Sequence, residues 1–168
     1  MTNQINQIQA TYNTFEDRIR LTIKTHSDQV FVAWLTRRYL GILLPVLHGQ
    51  HPISGESFFD EKSVLSQQAE QEKSQLDRDM QQPFEKPEQP IYPLGEQPLL
   101  LTQITFSEMD TVNAQFILAP EIDDGFQLPF NPSLLASLLK VLAQALKAAN
   151  WQLEINTILE MPPEVRLQ

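Results

Sequence analysis

The chain contains no cysteine, which removes disulfides, thiolate nucleophiles and cysteine-ligated zinc. Glycine is scarce, five residues in 168, and no Gly-rich phosphate loop can be traced among them. No apolar run approaches the roughly 18 residues of a membrane span. The richest, Ile42 to Leu47, is six residues long and contains Pro45. The opening "MTNQINQIQATYNTF" lacks the basic head and apolar core of a secretory signal. These absences predict a cytoplasmic chain with no membrane association. Catalytic signatures are missing too: there is no G-x-S-x-G elbow, and no histidine is set in a strand-to-helix turn.

What is present is charge, unevenly spread. The net charge is −9, which disfavours polyanions as long-range partners. From Arg18 to Arg38, five bases (Arg18, Arg20, Lys24, Arg37, Arg38) face one acid, Asp28. From Glu56 to Asp124, fifteen acids face four bases, a local balance of −11. A basic island and an acidic middle invite contact with each other, within one chain or between two.

Periodicity places the elements. In "RIRLTIKT", Ile19, Leu21 and Ile23 alternate with Arg18, Arg20, Thr22 and Lys24, the pattern of a half-buried strand. "HSD" turns the chain and "QVFVAWL" returns it as a more central strand. Thr36 then stands at an N-cap position, and Tyr39, Leu40, Leu43, Leu44 and Leu47 make a helical stripe that Pro45 kinks or divides. The first 15 residues are rich in Gln, Asn and Thr. Ile5, Ile8, Tyr12 and Phe15 are spaced for a short amphipathic helix, and the composition equally suits a frayed end.

Residues 57 to 82 read as a long acidic helix with a thin apolar seam of Leu65, Ala69, Leu76 and Met80. Five prolines between Pro83 and Pro98 follow as an extended connector. "LLLTQITF" and "VNAQFILA" are strands about the "SEMDT" turn, and "FQLPF" is a short edge strand because of Pro129. Asn131 and Pro132 are a cap and an N1 proline. They open a helix burying Leu134, Leu135, Leu138, Leu139, Leu142, Ala145, Leu146 and Ala149. "WQLEI" alternates as a final strand.

The expected fold is therefore α+β: one antiparallel sheet of five to six strands packed by two leucine-rich helices, with the acidic helix and Pro-rich connector inserted. It forms a single domain over 1–168. Strand, strand and helix occupy 16–50, helix and connector 57–98, and three strands, a helix and a strand 99–156; 1–14 and 160–168 are flexible. A strand–strand–helix grammar recurs in both halves, without residue identity.

Candidate chemistry is thin. His48 and His51 lie near Glu56 and Asp60, but Gly49 and Pro52 make "HGQH" a loop rather than a ligating helix face. "EIDDG" lacks the ligand order of a calcium loop. No residue is singled out as catalytic, and neither a metal nor a cofactor is implied. The function expected is non-enzymatic: an adaptor or assembly protein that docks a protein partner, or a second copy of itself, through Arg18, Arg20, Lys24, Arg37 and Arg38. The Leu65/Ala69/Leu76/Met80 seam is the second candidate surface, for a partner helix. The alternatives are a small enzyme whose carboxylates and histidines meet only in space, and a nucleic-acid accessory protein.

Overall fold

The computed structural model describes residues 4–57, 75–109 and 111–151. It is α+β, with two sheets. The first runs β1 (Ile5–Asn13), β2 (Arg18–Thr25), β3 (Val30–Leu35) and β4 (Leu99–Leu100) in that spatial order. Its first three strands are antiparallel, and β4 joins β3 in parallel. The second sheet is an antiparallel meander of β5 (Gln103–Ser107), β6 (Gln115–Ala119) and β7 (Phe126–Pro129). Helix α1 (Arg37–Leu47) follows β3, the described end of α2 covers 75–81, and α3 (Pro132–Ala149) follows β7.

The single sheet of five to six strands is thus replaced by sheets of four and three strands. The break falls inside "LLLTQITF". Leu99 and Leu100 pair with Ala33 and Trp34 of the first sheet, whereas Gln103 onward pairs with β6. Between them Leu101 donates its N–H to the Trp34 carbonyl and Thr102 donates to that of Ala119. Two consecutive residues therefore hand the chain from one ladder to the other.

The second correction concerns the N-terminus, which is strand rather than helix or frayed end. Ile8, Ala10 and Tyr12 turn toward the core while Gln7, Gln9, Thr11 and Asn13 take the other face of β1. Phe15, which completed the helical spacing, is 98% exposed at the hairpin tip.

Both halves now share one plan, a three-stranded meander followed by a helix. The helices cross between halves. α3 packs along β1, α1 packs against α3, and the Tyr39 hydroxyl donates to the Gln103 carbonyl of β5 at 3.0 Å. A single core cluster includes Ile19, Leu21 and Leu35 of the first sheet, Phe116 and Leu118 of the second, and leucines of both helices.

Local signals explain the helix ends. The Thr36 hydroxyl accepts the Tyr39 N–H, and Asn131 Oδ1 accepts the Leu134 N–H at 2.8 Å. Asn150 caps α3 in the left-handed region (φ 55°), where Asn is tolerated. α1 continues through Pro45 to Leu47 as one helix. The proline sits in the last turn, so only the Gly41 carbonyl loses its i+4 donor. At the β6–β7 turn only glycine fits position 125: a Cβ there would overlap the Leu118 carbonyl oxygen and Ala119.

The acidic helix is tied down at its end by the first sheet. Gln7, only 5% exposed, aims its amide nitrogen at the carbonyls of Asp79, Gln82 and Pro83 at 3.0–3.1 Å, and its amide oxygen accepts the Glu85 N–H. Those carbonyls include the orphan acceptors of a helix C-terminus. Leu76 is buried and Met80 packs against the core; Leu65 and Ala69 lie outside the described residues. The connector continues as a strap beside β3, where the Val30 N–H donates to the Ile91 carbonyl and the Ile91 N–H donates to that of Asp28. The expected strand "WQLEI" lies outside the described residues beyond Trp151.

Replacing Gln7 with Leu leaves these polar groups unanswered, so Gln7→Leu is expected to destabilise the fold by about 2 kcal/mol. It should also open residues 81–98 to protease. Urea unfolding and timed digestion by a glutamate-specific protease, for which Glu85, Glu88 and Glu96 are the sites in this stretch, check this, and an unchanged midpoint with an unchanged digestion rate would refute the clamp.

Candidate functional site

Sheet register decides which of the basic residues meet. Paired residues of adjacent strands share a face, and one row crosses all four strands of the first sheet: Thr11, Arg20, Trp34 and Leu100. Arg20 and Thr11 are exposed, Leu100 is 45% exposed and Trp34 is half-buried. From the neighbouring row Arg18 lays its guanidinium over the Trp34 ring, 4.0 Å from the centroid. Glu16 holds Arg18 from the other side at 2.5–2.6 Å. A cation over an indole face is attracted by the ring quadrupole, so the stack orders both side chains before any ligand arrives.

The same face is closed at its other end. Lys24 sits in the row of Gln7 and Val30, but it is only 9% exposed. Its ammonium donates to the Glu85 carbonyl and lies 5.5 Å from the Phe84 ring. Beside it His26 Nε2 is 2.9 Å from Asp79 Oδ2, a charge contact when His26 is protonated rather than an aligned hydrogen bond. Lys24 therefore leaves the basic patch: it binds the strap of its own chain. Sequence alternation placed it correctly on the polar face, but could not show that the connector covers that end.

Arg37 and Arg38 are exposed in the first turn of α1. Arg37 belongs to the Arg18 end of the sheet, because its charge acts on Asp17 at the β1–β2 turn. Asp17 itself is a small hub. Its Oδ1 accepts from the Tyr12 hydroxyl at 2.5 Å and from Trp151 Nε1 at 2.8 Å, and the two rings meet edge to face. These hydrogen bonds hold its carboxyl below the ordinary value of 3.8, with Arg37 adding to the effect. Arg20 and Arg38 have no ion-pair partner among the described residues. Arg18, Arg20 and Arg37 are thus gathered at one end of the sheet; Arg38 makes no contact that joins it to them.

Trp34, Leu100 and Asp17 were missed from sequence. Trp34 was recoverable: pairing "RIRLTIKT" with "QVFVAWL" through the "HSD" turn puts Trp34 opposite Arg20. Leu100 was not, since nothing local announces a parallel pair with β3.

The histidine loop does different work. His51 Nδ1 accepts the N–H groups of Ile53 and Ser54 at 3.2–3.3 Å, which closes the turn. No group of three or more His, Asp or Glu placed to hold a metal ion occurs among the described residues. No described helix is long and apolar enough to cross a membrane. The chain matches no protein-family model, no curated protein and no solved structure.

The depressed carboxyl makes a signed prediction. The Asp17 contribution is complete above the ordinary value of 3.8 and is lost as pH falls through the lower folded value. In a Trp34→Phe background, Trp151 emission should hold steady down to pH 4 or so and change only below it. Asp17→Asn should remove that acid step. A midpoint at or above the ordinary aspartate value contradicts the hub.

Proposed function

We propose that this chain is a protein-docking module, an adaptor or assembly component that grips an acidic protein surface with the open half of its first sheet. The observation carrying this is the Arg18–Trp34 stack beside exposed Arg20 and Leu100. Trp and Arg are the residues most enriched at energetic centres of protein interfaces. Here they are arranged on a rigid antiparallel sheet, so little side-chain entropy remains to be lost on docking. Complementary charge sets the class of partner: Arg20, Arg37 and Arg38 steer an acidic surface toward the stack.

The rest of the acidic balance supports the same reading. Lys24 and His26 meet Glu85 and Asp79 of their own chain, which leaves Arg20 and Arg38, without an ion-pair partner among the described residues, to an outside partner. The 56–88 stretch of a second copy is one acidic surface that could serve, and this makes self-association part of the proposal. Single-stranded nucleic acid is the competing ligand, because a base can stack where Trp34 stands, but the −9 net charge repels it at long range.

The test follows the indole N–H signal of Trp34, assigned with Trp34→Phe, during titration with a glutamate-rich peptide and with an oligonucleotide of equal charge. The peptide should give a saturable, salt-sensitive shift, with affinity falling about tenfold in Arg20→Glu. A tighter response to the oligonucleotide, or no response to the peptide, defeats the reading. Sedimentation at low and high salt tests the self-association arm; a monomer whose mass ignores salt removes it.

A further inference from the structure

The outer edge of β1 lies at the floor of a groove of about 330 Å³. One wall is the end of α2 and the start of the connector, with Met80, Gln82 and Phe84; the other is α3, with Lys140, Val141 and Gln144. Among the described residues β1 is an outermost strand of its sheet, paired on one side only. The Ile8 N–H fixes which backbone groups face outward, because it points away from β2 and donates to Met80 Sδ at 3.3 Å. Ladder hydrogen bonds alternate along an antiparallel strand. Ala10 therefore also presents its N–H and C=O groups to the groove and Tyr12 presents its own along the same edge just beyond it, and no backbone partner meets them among the described residues. A thioether is a weak acceptor, so even Ile8 holds its bond loosely.

We propose that this edge takes an extended peptide segment from a partner by strand addition, with an apolar residue and a carboxylate at adjacent positions. Such a segment would pair its backbone with Ala10 and Tyr12, the established way in which an open sheet edge is read. Alternate side chains of a strand point to opposite faces. One set would then meet Phe84 and Met80, and the other would meet α3, where Lys140 is the only ionised residue among the described ones lining the groove. Lys140 has no ion-pair partner among the described residues. In a chain of net charge −9, a cation without a neighbouring acid selects a carboxylate. The stretch from Gln9 to Asn13, without an outer strand among the described residues, offers roughly 17 Å of edge. The walls decide against a second copy docking edge to edge, since its own β1 is recessed between the same two walls. The inference rests on the sheet edge and not on the arginine row, so either site can fail without the other.

The probe is a synthetic peptide, acetyl-Thr-Val-Glu-Val-Thr-amide, with the Glu→Lys version as its control, added to the full chain. Hydrogen exchange at the Ala10 and Tyr12 amides should slow by about tenfold or more at saturation. Lys140→Glu should weaken binding about tenfold. Ala10→Pro removes an outward N–H that the β1–β2 ladder does not use, and should abolish the protection at Tyr12 while leaving the melting temperature near that of the parent. If Ala10→Pro does not fold, the exchange and Lys140→Glu arms decide. Equal binding of the lysine peptide overturns the proposal. So does exchange at Ala10 and Tyr12 that is already as slow as at Leu21 in the free chain, since another part of the chain then fills the edge. Protection that rises with protein concentration assigns the edge to a second copy and overturns it too.

Discussion

Helix α1 buries one broad face along its whole length, and the architecture follows from that constraint. Tyr39, Leu40, Leu43, Leu44, Val46 and Leu47 are each at most 4% exposed, and at 3.6 residues per turn these positions fill a continuous arc of roughly 160°. A helix apolar over so wide an arc cannot be covered by one sheet. It needs the inner face of the first sheet, the second sheet and α3 together, which is why a single core cluster joins both halves of the chain. The first turn stays in solvent, as does Ile42 on the opposite face, 36% exposed. Arg37 and Arg38 stand in that first turn, and their mild conflict with the helix dipole is tolerated where the helix leaves the core. Burial also pushes the Tyr39 phenol well above its ordinary value, so it serves as a neutral donor that pins α1 to β5.

The strap turns an otherwise exposed sheet into a surface with two different ends. Gln7 and Lys24 are polar residues in strand positions that would face water in an isolated sheet. They are buried because the backbone of 79–85 supplies the hydrogen bonds they need. Buried polar groups with complete partners specify one arrangement more strongly than apolar contact does. The open end carries the guanidinium–indole stack, and the groove beside β1 exists because the strap stands off from α3 rather than sealing the edge. Closure of one end and exposure of the other thus have a common origin in a few residues of the connector.

Much of this was legible in the sequence. The alternation of "RIRLTIKT", the Thr36 cap and the Asn131–Pro132 pair predict β2, α1 and α3 from local rules, and each rule operates through neighbours a few residues away. β7 ends at Pro129 on the edge of its sheet, where a missing N–H costs no ladder bond. β1 was harder to read. Its outward positions are Gln7, Gln9, Thr11 and Asn13, a composition shared with disordered segments, and Phe15 completes a false helical stripe with Ile5, Ile8 and Tyr12. Contacts made at long sequence separation were illegible: Gln7 with Asp79, Lys24 with Glu85, Trp34 with Leu100. Only Arg20 and Trp34, joined by a short hairpin, could have been paired by counting.

The crossing of the helices gives the two halves their dependence on each other. In an arrangement where each helix covered its own meander, the Pro-rich connector would be a tether between two separable units. Instead α3 lies along β1, at the far end of the chain from itself, and α1 reaches β5 through Tyr39. Trp151 extends the exchange, since its indole is held by Tyr12 and Asp17 of the first hairpin. Neither three-stranded meander has enough inner surface to bury its own helix. Each half therefore finishes the other's core, and the residues that would carry contact with partners stand on the faces this exchange leaves uncovered: the arginine row on the outer face of the first sheet and the recessed edge of β1.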